Sequence, residues 1–179
     1  MNPVVLRPAT PADVPALEAL IAASARALGQ GYYTEAETEA AVTHVFGVDS
    51  ALVADGSYLV AEADGFLAGC GGWSARRTLF GGDRFAARED ARLDPASDAA
   101  RIRAFFVAPA FARQGVGGAI LAACEEAAAA AGFTAAELMA TLPGVPFYAA
   151  SGYCAAEPLL YDCGGIPVRF VRMTRQLLQ

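Results

Sequence analysis

The sequence predicts an α/β protein, with a mixed, mainly antiparallel sheet of about seven strands flanked by about four helices. Three observations lead there. Apolar residues recur at the two-residue period of strands in some stretches and at the helical period in others. Asp64-Gly65 and Gly164-Gly165 each separate two strand-like runs, and Asp-Gly between alternating runs is a hairpin signal. With 179 residues the chain has the length of one domain, expected over residues 1–179.

Val4 to Arg7 reads as an opening strand. Thr10-Pro11-Ala12-Asp13 supplies an N-cap, a proline at the first helical position and an acid in the first turn. The helix that follows carries Val14, Leu17, Leu20, Ile21 and Leu28 on its apolar stripe and stops at Gly29. Thr34-Glu35-Ala36-Glu37 is a capping box and opens a second helix ending near Gly47. Ser57 to Glu62 and Phe66 to Trp73 form the antiparallel pair around Asp64-Gly65. Ser74 to Ala100 breaks all periodicity; connections longer than about 12–15 residues are uncommon unless functional, so it reads as a substrate flap or as a solvated insertion. Arg101 to Val107 is a buried central strand, Val116 to Ala131 a helix closed by Gly132, and Ala135 to Thr141 the next strand. Pro146 to Ser151 is a short helix stopped by Gly152, followed by strands Tyr153 to Tyr161 and Pro167 to Thr174.

Composition excludes several chemistries. Hydrophobic residues make up 55% of the chain and charged ones 18%, too little charge for a disordered tail or a coiled coil. All 13 basic residues are arginine, and without lysine there is no P-loop lysine and no Schiff-base nucleophile. His44 is the single histidine, so no His-rich metal site can form and no metal is expected; beside Val45 it reads as an ordinary helix residue. A net charge of −6 argues against nucleic acid and favours a cationic partner. Cys70, Cys124, Cys154 and Cys163 lack CxxC spacing and are expected to be reduced. Neither a signal-peptide pattern nor an apolar run of about 18 residues is present, so a soluble, cytoplasmic protein with no membrane partner is expected.

The chemistry is carried where strand Arg101 to Val107 runs through Pro109 into Arg113-Gln114-Gly115-Val116-Gly117-Gly118 at the start of the long helix. The first amides of a helix lack internal acceptors, the helix dipole adds positive potential, and glycines let the backbone approach a phosphate. Spacing matches neither the P-loop nor the dinucleotide fingerprint, which points to another phosphate-bearing cofactor. A helix that simply begins at a flexible turn is the alternative.

The segment FFVAPAFARQGVGGAIL closely resembles the signature of the GNAT superfamily of N-acetyltransferases. There a strand ending in Val-x-Pro leads to a [QR]-x-x-G-x-[GA] loop that binds the pyrophosphate of acetyl-coenzyme A. LRPATPADVPAL is similar to the family's opening strand and first helix, FYAASGY to the helix before its final strands, and the order of elements is the same. One departure is that the leading Gln or Arg of the motif falls on Ala112, with Arg113 and Gln114 following.

The resemblance implies an acetyl-coenzyme A dependent N-acetyltransferase on the GNAT-like fold, acting by direct attack of an amine in a ternary complex. Phe106 and Val107 would offer main-chain groups to the pantetheine arm, with the Val107 amide meeting the oxyanion. The amides of Arg113, Gln114, Gly115, Val116, Gly117 and Gly118 would hold the pyrophosphate. Arg113 is either a charged helper or a solvated surface residue. Tyr148 stands where many members keep a tyrosine that protonates the departing thiolate, with core packing as its other reading; Tyr153 reads as core. No acid on the Arg101 to Val107 strand offers a general base, which leaves a water chain or an acid from residues 83–98. Tyr32 and Tyr33 precede the second helix, where members often wall the acceptor pocket, or are exposed loop tyrosines. Gly69-Cys70-Gly71-Gly72-Trp73 either leaves room for an acceptor beside Trp73 or marks a bulge. The expected acceptor is a small-molecule or peptide amine, and a homodimer is compatible with the sequence. The rival reading is a non-catalytic acyl-coenzyme A sensor or partner-binding module on the same fold.

Overall fold

The computed structural model describes residues 3–177. In chain order the elements are β1 (Val5–Pro8), α1 (Val14–Leu28), α2 (Glu35–His44), α3 (Ser50–Asp55), β2 (Tyr58–Ala63), β3 (Phe66–Ser74), β4 (Ala100–Val107), α4 (Val116–Ala130), β5 (Ala135–Thr141), α5 (Val145–Ala150), β6 (Cys154–Cys163) and β7 (Ile166–Gln176). The seven strands form one sheet in the order β1-β2-β3-β4-β5-β7-β6. Among the described residues β4 and β5 are its one parallel pair, and α4 makes the crossover between them. The fold class is the one the sequence predicts.

Local chemistry sets most boundaries. The Thr34 hydroxyl accepts from the Glu37 amide while the Glu37 carboxylate accepts from the Thr34 amide, fixing the start of α2. Asp64 and Gly65 both take positive φ, 52° and 80°, as the tight β2–β3 turn requires. Two elements differ from expectation. The second helix stops at His44 rather than near Gly47, because the chain turns there to bury Phe46 and Val48. α3 is an additional helix, capped by the Asp49 carboxylate at the Ala51 amide and closed by Gly56 at φ 72°. Six residues that bury only Leu52 leave too little periodicity to be read.

The sheet is covered on both faces. α4 and α5 pack on one face through Val116, Ile120, Leu121, Cys124 and Tyr148. α1 and the α2–α3 connection pack on the other through Leu17, Ile21, Phe46, Val48 and Leu52. All four cysteines are free, and three are buried. No helix among the described residues is long and apolar enough to cross a membrane.

Two features open the sheet at its centre. β4 and β5 are in register only at Ala100–Ala136 and Arg101–Glu137, after which they part. Glu137, nearly buried, clamps that closed end: it pairs with Arg101 on β4 and accepts from Arg172 Nε on β7 at 2.8 Å. Further along, Gly72 pairs with Arg103 but Cys70 with Phe106, so Gly71 faces the two residues Ala104 and Phe105. This is a β-bulge, with Ala104 at φ 54°. The Tyr58 hydroxyl, wholly buried, donates to the Ala104 carbonyl at 3.0 Å and ties the bulge down.

The segment between β3 and β4 is largely exposed but pinned to the body at several points. Thr78 and Glu89 bond across it, and Leu93 is pulled into the core. Arg103 of β4 reaches into it, donating to the Thr78 carbonyl at 3.1 Å, to the Gly81 carbonyl and to Asp49 at 2.8 Å. Arg88 pairs with the same Asp49, whose side chain is 1% exposed. Burial works against the Asp49 charge, but the hydrogen bonds and charges of Arg88 and Arg103 hold its carboxyl below the usual range.

Candidate active site

The glycine loop lies where β4 ends. Pro109 to Phe111 make one 3-10 turn, and the chain then passes Arg113 at φ 60° and Gly115 at φ 83° before α4 begins. Alternating left-handed residues curl a backbone into a concave nest of amides. The intrahelical ladder starts with Ala119 donating to the Gly115 carbonyl. Among the described residues the amides from Arg113 through Gly118 have no backbone acceptor, so they combine the free donors and the positive end of a 15-residue helix.

Side chains around the nest leave it open. Nothing lies within 4 Å of where a Cβ would stand on Gly115 or Gly118. At Gly115 the need for glycine is therefore its positive φ rather than crowding. At Gly117 a Cβ would meet the Phe147 ring at 3.2 Å and Val107 Cγ2 at 3.6 Å. The loop thus borders the end of β4 and the start of α5. Arg113 and Gln114 are exposed; the Gln114 amide donates to the Ala110 carbonyl at 3.1 Å, while Arg113 makes no bond. The alanine at position 112, half-buried, offers no side-chain donor to the nest.

Strand register decides which β4 groups face the gap. Ala108 donates to the Ala68 carbonyl at 2.8 Å, and Val107 is opposite Gly69. In an antiparallel ladder the main-chain groups of neighbouring residues point to opposite sides. The Val107 N–H and C=O therefore point away from β3, toward the side β5 has left. Phe106, in register with Cys70, presents its main chain to β3 instead. Of the two residues with expected main-chain contacts, Val107 has the free edge.

Tyr148 lies on the same side of the sheet as α4. Its ring packs 4.9 Å from Phe147, 6.4 Å from Phe105 and 5.8 Å from Tyr153, centroid to centroid. Among the described residues its hydroxyl has no hydrogen-bond partner, yet it is not among the sealed, unsatisfied atoms. Burial pushes its phenol well above the ordinary range, with Cys124 adding to the effect, so it keeps its proton at neutral pH. Tyr153 differs, for its hydroxyl donates to Glu125 at 2.9 Å.

The remaining candidates have partners of their own. The Tyr33 hydroxyl donates to the Arg169 carbonyl at 2.6 Å and accepts from the Leu142 amide at 2.9 Å, tying the α1–α2 turn to β7 and the end of β5. Burial pushes its pKa up to about 12. Trp73 is opposite Ile102 near the start of β4, four residues along β3 from Gly69 and so about 13 Å from the Gly69–Val107 pair. It packs on Phe133 rather than at the gap. The glycines of β3 lie opposite the β4 bulge and let the strands pack closely: a Cβ on Gly71 would meet the Phe105 ring at 2.6 Å. His44 is an exposed residue in the last turn of α2.

Sequence reasoning missed the bulge at Ala104, its tether Tyr58, and the Arg103–Asp49–Arg88 cluster. Asp49-Ser50 carries a capping signal that could have disclosed α3 and with it the buried carboxylate. Nothing in the residue types around Ala104 signals a left-handed backbone.

Comparison with known proteins agrees with this architecture. The model of the acetyltransferase (GNAT) family matches residues 19–153. A GCN5-related N-acetyltransferase from Rhodopseudomonas palustris superposes with a TM-score of 0.74 at 24% identity, covering 99% of this chain and 98% of that one. PaiA N-acetyltransferase from Thermoplasma acidophilum, solved with coenzyme A, gives 0.63 at 14% identity over 98% and 99%. The ribosomal-protein-alanine N-acetyltransferase from Brucella melitensis gives 0.62 at 18% identity over 97% and 99%. At such identities the structural likeness is one of fold. No curated protein sequence matches the chain. The family model spans well over half of the sequence, and the chain belongs to the GNAT acetyltransferase family.

Proposed function

We propose that this chain, acting as a single domain, transfers an acetyl group from acetyl-coenzyme A to an amine by direct attack. The observation that carries the reading is the run of acceptor-free amides from Arg113 to Gly118 beside the unpaired main-chain edge of Val107. The donor set suits the donor's diphosphate: converging N–H groups, a helix N-terminus, and two glycines with open space above them. The bound thioester supplies an electrophilic carbonyl carbon.

The residues of the chain divide the remaining work. The nest fixes the diphosphate, and the edge of Val107 aligns the pantetheine arm along the gap between β4 and β5. The Val107 N–H serves as the donor to the carbonyl oxygen as negative charge grows on it. As the amine nitrogen bonds to the carbonyl carbon, the C–S bond breaks with its electron pair on sulfur. Tyr148 gives that sulfur its proton and is reprotonated from water, which also takes the proton lost by the amine. A phenol held protonated by burial is suited to this role.

Calorimetric titration of coenzyme A tests the binding half. Gly117→Val brings branched carbon against Phe147 and Val107 and crowds the nest. It is expected to cost at least about tenfold in affinity, roughly 1.4 kcal/mol, while the variant melts as a folded protein. Undiminished affinity in a folded variant would place the diphosphate elsewhere.

A further inference from the structure

The acceptor side of the gap has a composition of its own. α4, Tyr148 and the amide nest belong to one face of the sheet, so an amine meeting the carbonyl carbon from the other side approaches across the face that carries Phe106. That face is aromatic. Phe46, from the α2–α3 connection, packs edge-on against Phe106 of β4 at 5.2 Å and against Phe170 of β7 at 6.3 Å. The β3–β4 segment adds Phe80, 5.5 Å from Phe170 and 5.6 Å from Tyr161, with Phe85 behind it at 4.4 Å. Phe46, Phe85 and Phe170 are buried, whereas Phe80, Phe106 and Tyr161 keep part of their surface open.

Charge is neutralised around this wall. The β3–β4 segment holds five arginines and five carboxylates, and its net contribution is zero. Asp83 accepts from the Ser50 amide and hydroxyl, Asp94 and Asp98 cap their own turn, and Arg88 is spent on Asp49. Glu18 pairs with Arg84 and accepts from the Val48 amide. Arg169 alternates with the inward Val168 and Phe170 and so points to the opposite face. The acidity of the chain as a whole, which favours a cationic partner, is therefore not focused here.

We infer that Phe80, Phe106 and Tyr161 form the acceptor subsite, and that it takes a primary amine carried on an apolar, ring-bearing skeleton. The inference rests on the acetyltransferase reading above. Ring faces bury such a skeleton, and an ammonium awaiting deprotonation is tolerated over an aromatic face. A polyamine or an amino acid would bring charges for which this wall has no partners. The reaction is unchanged: the C–N bond forms as C–S breaks, the amine proton goes to water and the sulfur is protonated.

The test is thiol release from acetyl-coenzyme A with 2-phenylethylamine, hexylamine, spermidine and glutamate as acceptors. The expected order places kcat/KM for 2-phenylethylamine about tenfold or more above that for spermidine or glutamate. Phe80→Ala should raise the KM for 2-phenylethylamine about tenfold, with the calorimetric affinity for coenzyme A unchanged. Phe80→Leu, which keeps the packing, should reduce the preference for 2-phenylethylamine over hexylamine. Preference for spermidine or glutamate, or a folded Phe80 variant with an unaltered KM, overturns the subsite while leaving acetyl transfer intact. Thiol release with none of the four amines, from a protein that binds coenzyme A, overturns the transferase reading and the subsite with it.

Discussion

Tyr148 and Tyr153 stand five residues apart with rings in contact, and they separate two roles that a buried tyrosine can play. The hydroxyl of Tyr153 is committed to Glu125, itself held by Arg175 at 2.9 Å. That of Tyr148 has no partner among the described residues. Tyr148→Phe should therefore keep the melting temperature and coenzyme A affinity and lower kcat by about ten- to a thousandfold, the usual worth of a general acid. Tyr153→Phe should instead cost about 1 kcal/mol of stability and little kcat. Because burial raises the Tyr148 phenol, its proton is retained across neutral and mildly alkaline pH, and kcat should show no falling limb from this group there. Equal kcat for the two variants would make Tyr148 a packing residue. Its place in FYAASGY was legible from the sequence. What was not legible is the freedom of its hydroxyl, which depends on partners distant in the chain.

At the scale of elements, β4 shows what sequence pattern can and cannot convey. The apolar run Ala104 to Val107 marks a buried strand, and the glycine loop after it marks a helix start with free amides, both visible as residue types. The bulge that turns Val107 toward the gap is invisible, because alanine ordinarily avoids φ 54° and is held there by Tyr58 and by the vacancy at Gly71. Tyr58→Phe leaves the Ala104 carbonyl buried without its donor. It should destabilise the fold by about 1–3 kcal/mol and weaken coenzyme A binding several-fold. Adding Ala104→Gly, which removes the penalty on the positive φ, should restore binding in the same background. Calorimetry on the single and double variants checks this; a Tyr58→Phe protein with full affinity would show that the bulge holds without its tether. Capping boxes and the Asp64-Gly65 turn were readable for the opposite reason, since their chemistry is complete within four residues.

Across the whole molecule, charge serves the fold before it serves the site. Thirteen arginines and 19 acids suggest a surface property. Yet Arg103 and Asp49 are each 1% exposed at the side chain and fasten the β3–β4 segment to the sheet, while Glu137 with Arg101 and Arg172 closes the other end of the gap. An arginine in a strand gives no sequence signal of burial, so this segment read as loop. Asp49→Asn would leave Arg103 and Arg88 without their counter-charge and should cost about 3–5 kcal/mol at neutral pH. The folded pKa of Asp49 lies below its unfolded value near 4, so its charge-linked contribution is present above about pH 4 and is lost as pH falls through the folded value. Denaturant melts of wild type and variant should accordingly begin to converge below about pH 4 and meet only once pH has fallen through the folded value, and a pH-independent difference would assign the cost to packing instead.

We propose that the Val107 backbone edge, the amide nest and the Tyr148 phenol act together on one thioester. The most direct measurement follows free thiol and N-acetylated amine together, after mixing the purified protein with acetyl-coenzyme A and 2-phenylethylamine. Acetyl transfer predicts one acetylated amine for each thiol released, at a rate that saturates with both reactants and falls in Tyr148→Phe. Saturable binding of coenzyme A with no acetylated product would contradict it and leave a protein that holds the cofactor without turning it over.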